Sequence, residues 1–196
     1  MAPTRRTVLA GAALAIIAAV AVIARAPHIV SGWPDPTDPR TTLADVEAAV
    51  SRKIPVPEIS VPEFGDTLSQ PDTMIFDVRE PSEFARSHIS GATRIDPGLS
   101  AAAFAARFGN EIRGKKVVFY CAVGVRSGTM LERVRSVLST GGATSALNLK
   151  GGIFRWYASG RPLVADTGVA HDVHHYDEAW GKLLARTVAA GTHDAR

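Results

Sequence analysis

The sequence has a single cysteine among its 196 residues, Cys121. One thiol can neither form an intramolecular disulfide nor supply the several thiolates of a multi-cysteine zinc or iron–sulfur site. The fold must therefore be held by a hydrophobic core without sulfur cross-links. A chain of this length that is 46% hydrophobic and 21% charged is typical of one globular domain with terminal segments of different character.

Clusters of lysine or arginine interleaved with aromatic residues are also absent, and the formal net charge is only +3. Because the basic residues are scattered among acidic ones, the sequence indicates no extended positive surface. We therefore expect no nucleic-acid partner. The sequence shows no internal repeat and no low-complexity segment.

The N-terminal segment has no charged residue between positions 7 and 24. This stretch of 18 residues is rich in Ala, Val, Ile and Leu and follows Arg5 and Arg6, a pattern typical of an export signal or a membrane anchor. Its length is at the lower limit for crossing a bilayer. The sequence T-R-R-T-V-L-A resembles a twin-arginine export signal, with valine where that pattern prefers phenylalanine. We therefore predict that residues 1–26 form a signal peptide or an uncleaved membrane anchor.

The small-x-small sequence Ala24-Arg25-Ala26 is a candidate cleavage site, but Pro27 would follow the cut, and signal peptidases tolerate proline poorly there. An uncleaved anchor, with membrane association through residues 7–24, therefore stays open. In both cases the twin arginines are expected to stay on the cytoplasmic side. The protein is thus expected to be exported, with its domain in the periplasm or another extracytoplasmic space.

Residues 27–54 are predicted to form a linker and a short helix. Four prolines between positions 27 and 40 disfavour a helix and favour an extended linker. Thr42 is a suitable N-cap for the segment that follows. Apolar residues recur on one helical face of that segment: Leu43, Val46, Ala49 and Val50.

Strand-like and helical patterns alternate between residues 55 and 165. Strands are predicted at residues 59–61, 74–78, 92–95, 117–121 and 145–149, and helices at residues 62–68, 81–87, 99–108 and 129–138. This alternation predicts an α/β domain with a mostly parallel central sheet flanked by helices on both faces. Ligands of such sheets bind at the carboxyl ends of the strands, where we expect Asp77, Arg79 and Cys121.

Cys121 lies where a buried strand is expected to lead into a helix, in the segment V-V-F-Y-C-A-V-G-V-R-S-G. Backbone N–H groups at a helix start and the charge of Arg126 would stabilise a thiolate or a bound oxyanion there. Cys121 is therefore the candidate nucleophile. The alternative is a buried structural cysteine, since free cysteine is among the most buried residue types.

Three separated segments, residues 74–92, 117–128 and 151–164, carry an ordered set of motifs. The motifs are D-V-R-E, E-F, H-I-x-G-A, C-x-x-G-x-R-S and G-G-I-x-x-W-x-x-x-G-x-P-L. Together they resemble the rhodanese family, and the resemblance covers residues 55–165. It implies a rhodanese-like domain that carries sulfur as a persulfide on Cys121. The loop from Cys121 to Arg126 has six residues, whereas phosphatases and arsenate reductases of the same fold use a loop one residue longer.

The resemblance implies a sulfurtransferase that moves a sulfane sulfur from a small anion such as thiosulfate to cyanide, a thiol or a protein acceptor. The acceptor must be external, because the chain has no second cysteine to take the sulfur. The implied mechanism requires no metal and no organic cofactor. Asp77 and Arg79 would support the strand end as an ion pair. The donor and the persulfide would be held by the loop residues Ala122, Val123, Gly124, Val125, Arg126 and Ser127.

Two other function classes stay open. One is a non-catalytic sulfur carrier for a dedicated partner, and the other, which the short loop disfavours, is an oxyanion reductase or phosphatase. Glu83 could act as a general base, but the family pattern implies that it fixes a helix. In two-domain thiosulfate sulfurtransferases a basic residue near this position helps to hold the substrate, whereas this sequence has an acid there. His88 could be catalytic or could stabilise a turn, and Trp156 is expected in the core.

The C-terminal extension, residues 166–196, is predicted to be partly helical. By composition it resembles a metal-ligand cluster, with His171, Asp172, His174, His175 and Asp177 close together. The alternative is an extension that packs on the domain, because an apolar stripe follows the histidines: Tyr176, Trp180, Leu183 and Leu184. That stripe could also face a membrane or a partner.

Overall fold

The structure is a computed structural model, and it describes residues 32–68 and 70–193. The strands of this part of the chain are β1 (Glu58–Ile59), β2 (Thr73–Asp77), β3 (Ala92–Arg94), β4 (Lys116–Tyr120), β5 (Ser145–Leu149), β6 (Leu163–Ala165) and β7 (Gly168–Ala170). Its helices are α1 (Leu43–Lys53), α2 (Val61–Thr67), α3 (Pro81–Arg86), α4 (Ala101–Phe108), α5 (Val125–Gly141), α6 (Gly152–Ala158) and α7 (Glu178–His193).

Strands β1 to β5 form one parallel sheet in the order β1-β5-β4-β2-β3, flanked by helices. This confirms the α/β fold that the sequence predicts. Strand β4 lies in the middle of the sheet, and its residues 117–120 have no exposed surface, as expected of a parallel strand that is covered on both faces. Cys121 follows β4 directly, at the carboxyl edge of the sheet.

Four phenylalanines fix the strands that lead to this edge. Phe76 of β2 packs against Phe119 of β4 and against Phe104 and Phe108 of α4, and Phe119 also packs against Phe104, with ring centroids 4.8–6.0 Å apart. All four side chains are buried. Aromatic pairs of this kind add about 0.5–1.5 kcal/mol each to the free energy of area burial, so the relative position of β2 and β4 is strongly determined.

Helix α5 is longer than the sequence predicts, because it begins at Val125 instead of residue 129 and ends at Gly141 instead of residue 138. Its N-cap is Gly124, whose φ of 101° lies in the left-handed region that favours glycine. Thr42 caps α1 as predicted: its hydroxyl accepts from the Asp45 N–H, and the Asp45 carboxylate accepts from the Thr42 N–H. The early start of α5 places Arg126 in the first helical turn.

Helix α6 and the hairpin of β6 and β7 are not predicted by the sequence. Helix α6 has seven residues, and the two glycines at its start, Gly151 and Gly152, favour a turn in the sequence pattern. Strand β6 pairs with β7 and also forms a bridge between Val164 and His88. The hairpin is thereby attached to the H-I-S-G turn.

The C-terminal extension packs against the domain, in agreement with one of the two alternatives. Leu183 and Leu184 of α7 are buried, and the Arg186 guanidinium donates to three backbone carbonyls between residues 36 and 41 at 3.0–3.3 Å. These hydrogen bonds therefore attach the end of the predicted linker to the middle of α7. The inclusion of Tyr176 in the apolar stripe is wrong, because this residue precedes α7 and its side chain is 55% exposed.

The predicted signal or anchor segment, residues 1–26, lies outside the described residues. Within residues 32–68 and 70–193, no helix is both long enough and apolar enough to cross a membrane.

Candidate functional site

The Cys121 side chain lies at the start of a tight loop and is only 1% exposed. The Gly124 N–H donates to its sulfur at 3.2 Å. The next three N–H groups, of Val125, Arg126 and Ser127, are the first of α5 and have no carbonyl partner within the helix. A helix start of this kind favours negative charge, so the loop can stabilise a thiolate or the outer sulfur of a persulfide.

Helix α6 holds the beginning of this loop from outside. The N–H groups of Ile153 and Phe154 donate to the carbonyls of Cys121 and Ala122 at 2.9 and 3.1 Å. Such close contact requires glycine at position 152, where a Cβ atom would lie 2.4 Å from the Cys121 carbonyl oxygen. The G-G-I-F part of the last motif thus positions Cys121.

Asn148 holds the other end of the loop, and sequence reasoning missed it. This residue of β5 is fully buried; its Nδ2 donates to the Gly124 carbonyl at 3.0 Å, and its Oδ1 accepts from the Ser127 hydroxyl at 2.7 Å. A buried amide must find such partners. The available signal was a polar residue within the otherwise apolar end of the strand S-A-L-N-L.

Arg126 forms a bidentate ion pair with Glu83 of α3. Its two terminal nitrogens donate to the two carboxylate oxygens at 2.6 and 2.8 Å. Glu83 is 1% exposed, whereas the Arg126 side chain is 25% exposed. Glu83 Oε2 also accepts from the Glu80 N–H at 3.0 Å. Glu83 therefore connects α3 to the first turn of α5, a contact that its place in the E-F motif did not indicate.

The ionisation of this pair follows from its contacts. Burial alone would raise the pKa of Glu83, but the hydrogen bonds from Arg126 and Glu80 outweigh it, and the pKa is lowered. Burial would lower the pKa of Arg126, but the Glu83 hydrogen bonds and the neighbouring Cys121 raise it. Glu83 thus stays ionised with its oxygens occupied, which disfavours the general-base alternative.

Asp77 and Arg79 form a fully buried ion pair at the carboxyl end of β2. Arg79 donates to the Asp77 carboxylate at 2.6–3.1 Å and to the Ser87 carbonyl at 2.6 Å. Burial would lower the pKa of Arg79, but its bonds with Asp77 raise it. The charge of Arg79 also lowers the pKa of Glu83. The pair therefore supports the strand end, and it acts on the loop through Glu83.

Two other residues singled out in the sequence have structural positions. His88 Nδ1 donates to the Phe84 carbonyl at 3.0 Å, and its ring stacks on the Phe84 ring at 3.9 Å. Trp156 is 1% exposed, and its indole N–H donates to the Pro162 carbonyl at 2.9 Å. His88 thus stabilises the turn, and Trp156 belongs to the core as expected.

The histidine-rich segment before α7 does not gather its side chains around one point. Asp172 pairs with Arg86, His174 Nδ1 accepts from the Tyr176 N–H, and His175 Nδ1 donates to the Asp177 carbonyl. Among the described residues, no group of three or more His, Cys, Asp or Glu side chains could hold a metal ion. Tyr176 instead contacts the Cys121 loop: the Arg126 Cζ lies over its ring, 5.3 Å from the centroid.

Residues 60–159 match the sequence profile of the rhodanese-like domain. Three curated relatives are similar to this chain. The Synechocystis protein slr1261 is 34% identical over 50% of this chain and 50% of its own length. The Bacillus subtilis protein YqhL is 43% identical over 42% of this chain and 59% of its own length. A sulfurtransferase of Allochromatium vinosum is 32% identical over 50% of this chain and 83% of its own length.

Among solved structures, a rhodanese-related protein of Thermoplasma volcanium aligns with a TM-score of 0.45 and 25% identity, over 57% of this chain and all of its own. The chain spans only 50% and 59% of the length of the Synechocystis and Bacillus relatives.

Proposed function

Since this chain belongs to the family of rhodanese-like domains, we propose that it transfers sulfane sulfur through a persulfide on Cys121. The Allochromatium relative that is named a sulfurtransferase supports the reaction class. The observation that carries the proposal is the position of the Cys121 sulfur, which accepts the Gly124 N–H beside the first turn of the 17-residue helix α5. A sulfur anion is stabilised there without any metal.

In the first step, the Cys121 thiolate attacks the outer sulfur of a small anionic donor such as thiosulfate. A new S–S bond forms as the S–S bond of the donor breaks, and sulfite leaves with the bonding electron pair. The sulfur moves as a neutral atom between two nucleophiles, so no external oxidant or reductant is needed. This is covalent catalysis by double displacement.

In the second step, an external acceptor attacks the outer sulfur of the persulfide. Cyanide leaves as thiocyanate, whereas a thiol acceptor loses its proton and leaves as a persulfide. In both cases the Cys121 thiolate departs with the electron pair of the broken bond. The acceptor is external because Cys121 is the only cysteine of the chain.

The loop residues 122–127 have separate tasks in this proposal. Their N–H groups hold the sulfur anion, and Asn148 keeps Gly124 and Ser127 in place. A guanidinium has five N–H donors, and two of those of Arg126 are used by Glu83. The remaining donors of Arg126 are therefore proposed to bind the anionic group of the donor.

Mass spectrometry of the purified chain tests the central step. After incubation with thiosulfate we expect one added sulfur on Cys121, and cyanide should then remove it as thiocyanate. The control is Cys121→Ser, which has nearly the same size but cannot form a persulfide. We expect this variant to have the circular dichroism spectrum of the wild type and no thiocyanate formation. Activity above a trace in Cys121→Ser would show that the nucleophile is wrongly assigned.

A sulfur carrier is the second candidate, because Cys121 is only 1% exposed and a persulfide there would be shielded from other thiols. A carrier would be loaded and unloaded by one dedicated protein partner. Stable persulfidation with negligible turnover of small donors would support it. Hydrolysis of an aryl phosphate that is lost in Cys121→Ser would instead support the phosphatase alternative.

A further inference from the structure

The segment 171–177 lies outside the matched family region, which ends at residue 159, yet it reaches the Cys121 loop. Its first half is fixed to the domain at three points. Asp172 pairs with Arg86, the last residue of α3; the Tyr157 hydroxyl donates to the His171 carbonyl at 3.1 Å; and Val173 is buried. Helix α3 also carries Glu83, so the segment is attached to the helix that holds Arg126.

The second half of the segment is fixed by its histidines and by the start of α7. His175 Nδ1 donates to the Asp177 carbonyl at 2.8 Å, and the Asp177 carboxylate accepts from the Trp180 N–H at 3.0 Å. The imidazole of His175 fits closely because position 181 is glycine, where a Cβ atom would lie 3.1 Å from the ring. The chain on both sides of Tyr176 is thus held.

These contacts stabilise a backbone conformation at Tyr176 that is unfavourable by itself. Its φ is 71°, and it is the only non-glycine residue with a positive φ in the described part of the chain. For a bulky side chain this conformation is strained. Its consequence is the position of the ring, which presents its face to the Arg126 guanidinium 5.3 Å away.

Arg126 is therefore occupied from two directions. Glu83 takes two N–H groups in the plane of the guanidinium, and the Tyr176 ring lies against one of its faces. The Arg126 side chain remains 25% exposed. The face of an aromatic ring carries partial negative charge, so an anion that approaches Arg126 on this side is both obstructed and repelled.

We propose that Tyr176 is a specificity-determining residue of the Cys121 site, which restricts the access of small anions to Arg126. This inference rests on the proposed function in one respect: the anionic group of the sulfur donor is taken to bind Arg126. It predicts that KM for thiosulfate is higher in the wild type than in a variant without the Tyr176 ring.

Alkylation of Cys121 tests the proposal without any turnover, because the 196-residue chain has no other cysteine. Iodoacetate and iodoacetamide have nearly the same size and differ in charge. Tyr176→Ala should raise the ratio of the iodoacetate rate to the iodoacetamide rate about two- to fivefold, the effect expected of one exposed cation–π contact. Tyr176→Phe keeps the ring and should keep the wild-type ratio. Val169→Ala changes an exposed residue of β7 and is the matched control.

Steady-state kinetics give a second readout. Tyr176→Ala should lower KM for thiosulfate by about the same factor, with kcat and the use of an uncharged organic polysulfide unchanged. Tyr176→Asn, which tolerates the left-handed backbone, should behave like Tyr176→Ala and covers the case in which alanine disturbs the segment.

Three results would overturn the proposal. The first is an unchanged ratio of the iodoacetate rate to the iodoacetamide rate in Tyr176→Ala and Tyr176→Asn, and the second is an equal rise of both alkylation rates in these variants. The third is a Tyr176→Phe variant that behaves like Tyr176→Ala. If the wild type forms no persulfide, the proposed function fails, but the alkylation ratio still decides whether Tyr176 restricts anions.

Discussion

The Arg126 side chain binds Glu83 beside the loop and is also proposed to bind the sulfur donor. The sequence places it at a loop edge, where an exposed arginine would change the free energy of unfolding by only about 0.5 kcal/mol when removed. In the structure it is the partner of Glu83, which is buried. Removal of Arg126 would leave this carboxylate without its counter-charge, so the structure predicts a larger effect on stability than an exposed arginine would have.

We predict that Arg126→Ala lowers the free energy of unfolding by about 2 kcal/mol, less than the loss of a partner from a fully buried pair because Arg126 is partly exposed. The double variant Arg126→Ala/Glu83→Ala should recover at least half of this loss, since no unpaired charge remains. Urea unfolding of the single and double variants measures both values. Equal loss in the single and double variants would show that the unpaired Glu83 carboxylate is not the cause of the instability.

The same substitution tests donor recognition at the level of the residue. A charge-assisted hydrogen bond contributes about 1.5–3 kcal/mol, so Arg126→Ala should lower kcat/KM for thiosulfate roughly tenfold to hundredfold more than for an uncharged polysulfide. If both donors lose activity equally, Arg126 only shapes the loop. If neither does, Arg126 takes no part in donor binding.

At the scale of elements, three of them position the Cys121 loop together with β5, whose Asn148 holds Gly124 and Ser127. Strand β4 brings the cysteine to the sheet edge, α5 supplies N–H groups, and α6 donates to the Cys121 and Ala122 carbonyls. Helix α6 can approach so closely only because Gly152 has no Cβ atom. The packing of α6 therefore fixes the carbonyls at the start of the loop, although α6 contributes no reacting group.

We predict that Gly152→Ala lowers kcat/KM about tenfold to hundredfold, because the new methyl group must displace the Cys121 carbonyl by a large part of an ångström. The free energy of unfolding should fall by about 2–4 kcal/mol, from overpacking and from the positive φ of 55°. Enzyme assays and urea unfolding measure the two effects.

Gly160→Ala is the matched control for this substitution. Gly160 also has a positive φ, 70°, but a Cβ atom there would meet nothing within 4 Å. It should lose only about 1 kcal/mol of stability and no activity. Similar loss of activity in both variants would mean that backbone strain, and not the contact with Cys121, determines the effect.

At the scale of the whole molecule, several carboxylates have a pKa below the ordinary value. Hydrogen bonds from Arg40 lower the pKa of Asp38 from 3.8 to about 2, and those from Thr42 and Ser60 lower the pKa of Asp45 and Glu63. Burial would raise the pKa of Glu83, but the hydrogen bonds from Arg126 and Glu80 outweigh this effect, so its pKa is also lowered. Each such group stabilises the fold above its unfolded pKa, and this contribution is lost as the pH falls through the folded pKa.

We therefore predict that the free energy of unfolding is nearly constant between about pH 5 and pH 8 and decreases steadily below about pH 4. Urea unfolding at a series of pH values measures the slope. Glu83→Gln should be less stable than the wild type at neutral pH and should show a shallower decrease on acidification, since it has no proton to take up at this position. Stability that rises on acidification would contradict the assignment.

The N-terminal segment supports a prediction about location. Because Pro27 disfavours the candidate cleavage site, we propose that a substantial fraction of the full-length protein stays with the membrane, with its domain on the outer side. Cell fractionation, protease treatment of intact cells and N-terminal sequencing test this. A soluble fraction that holds only chains starting at Pro27 or later would refute it.

The sequence by itself determined the elements around Cys121. The apolar run 117–120 followed by Cys121, the glycines of the loop and the period of the following helix gave β4, the turn and α5 in the right order. Such features depend on interactions between residues close in the chain, so local patterns predict them. The boundaries were less well predicted: α5 begins four residues early because Gly124 caps it with a left-handed backbone.

Only the tertiary structure decided which side chains meet at this loop. Glu83 and Arg126 are 43 positions apart, and Ser127 and Asn148 are 21 apart; neither pair has a local pattern. The contact of Tyr176 with Arg126 depends on the course of an extension outside the family region. These contacts arise because the packing of the sheet and helices sets the distances between distant segments, which no short stretch of sequence encodes.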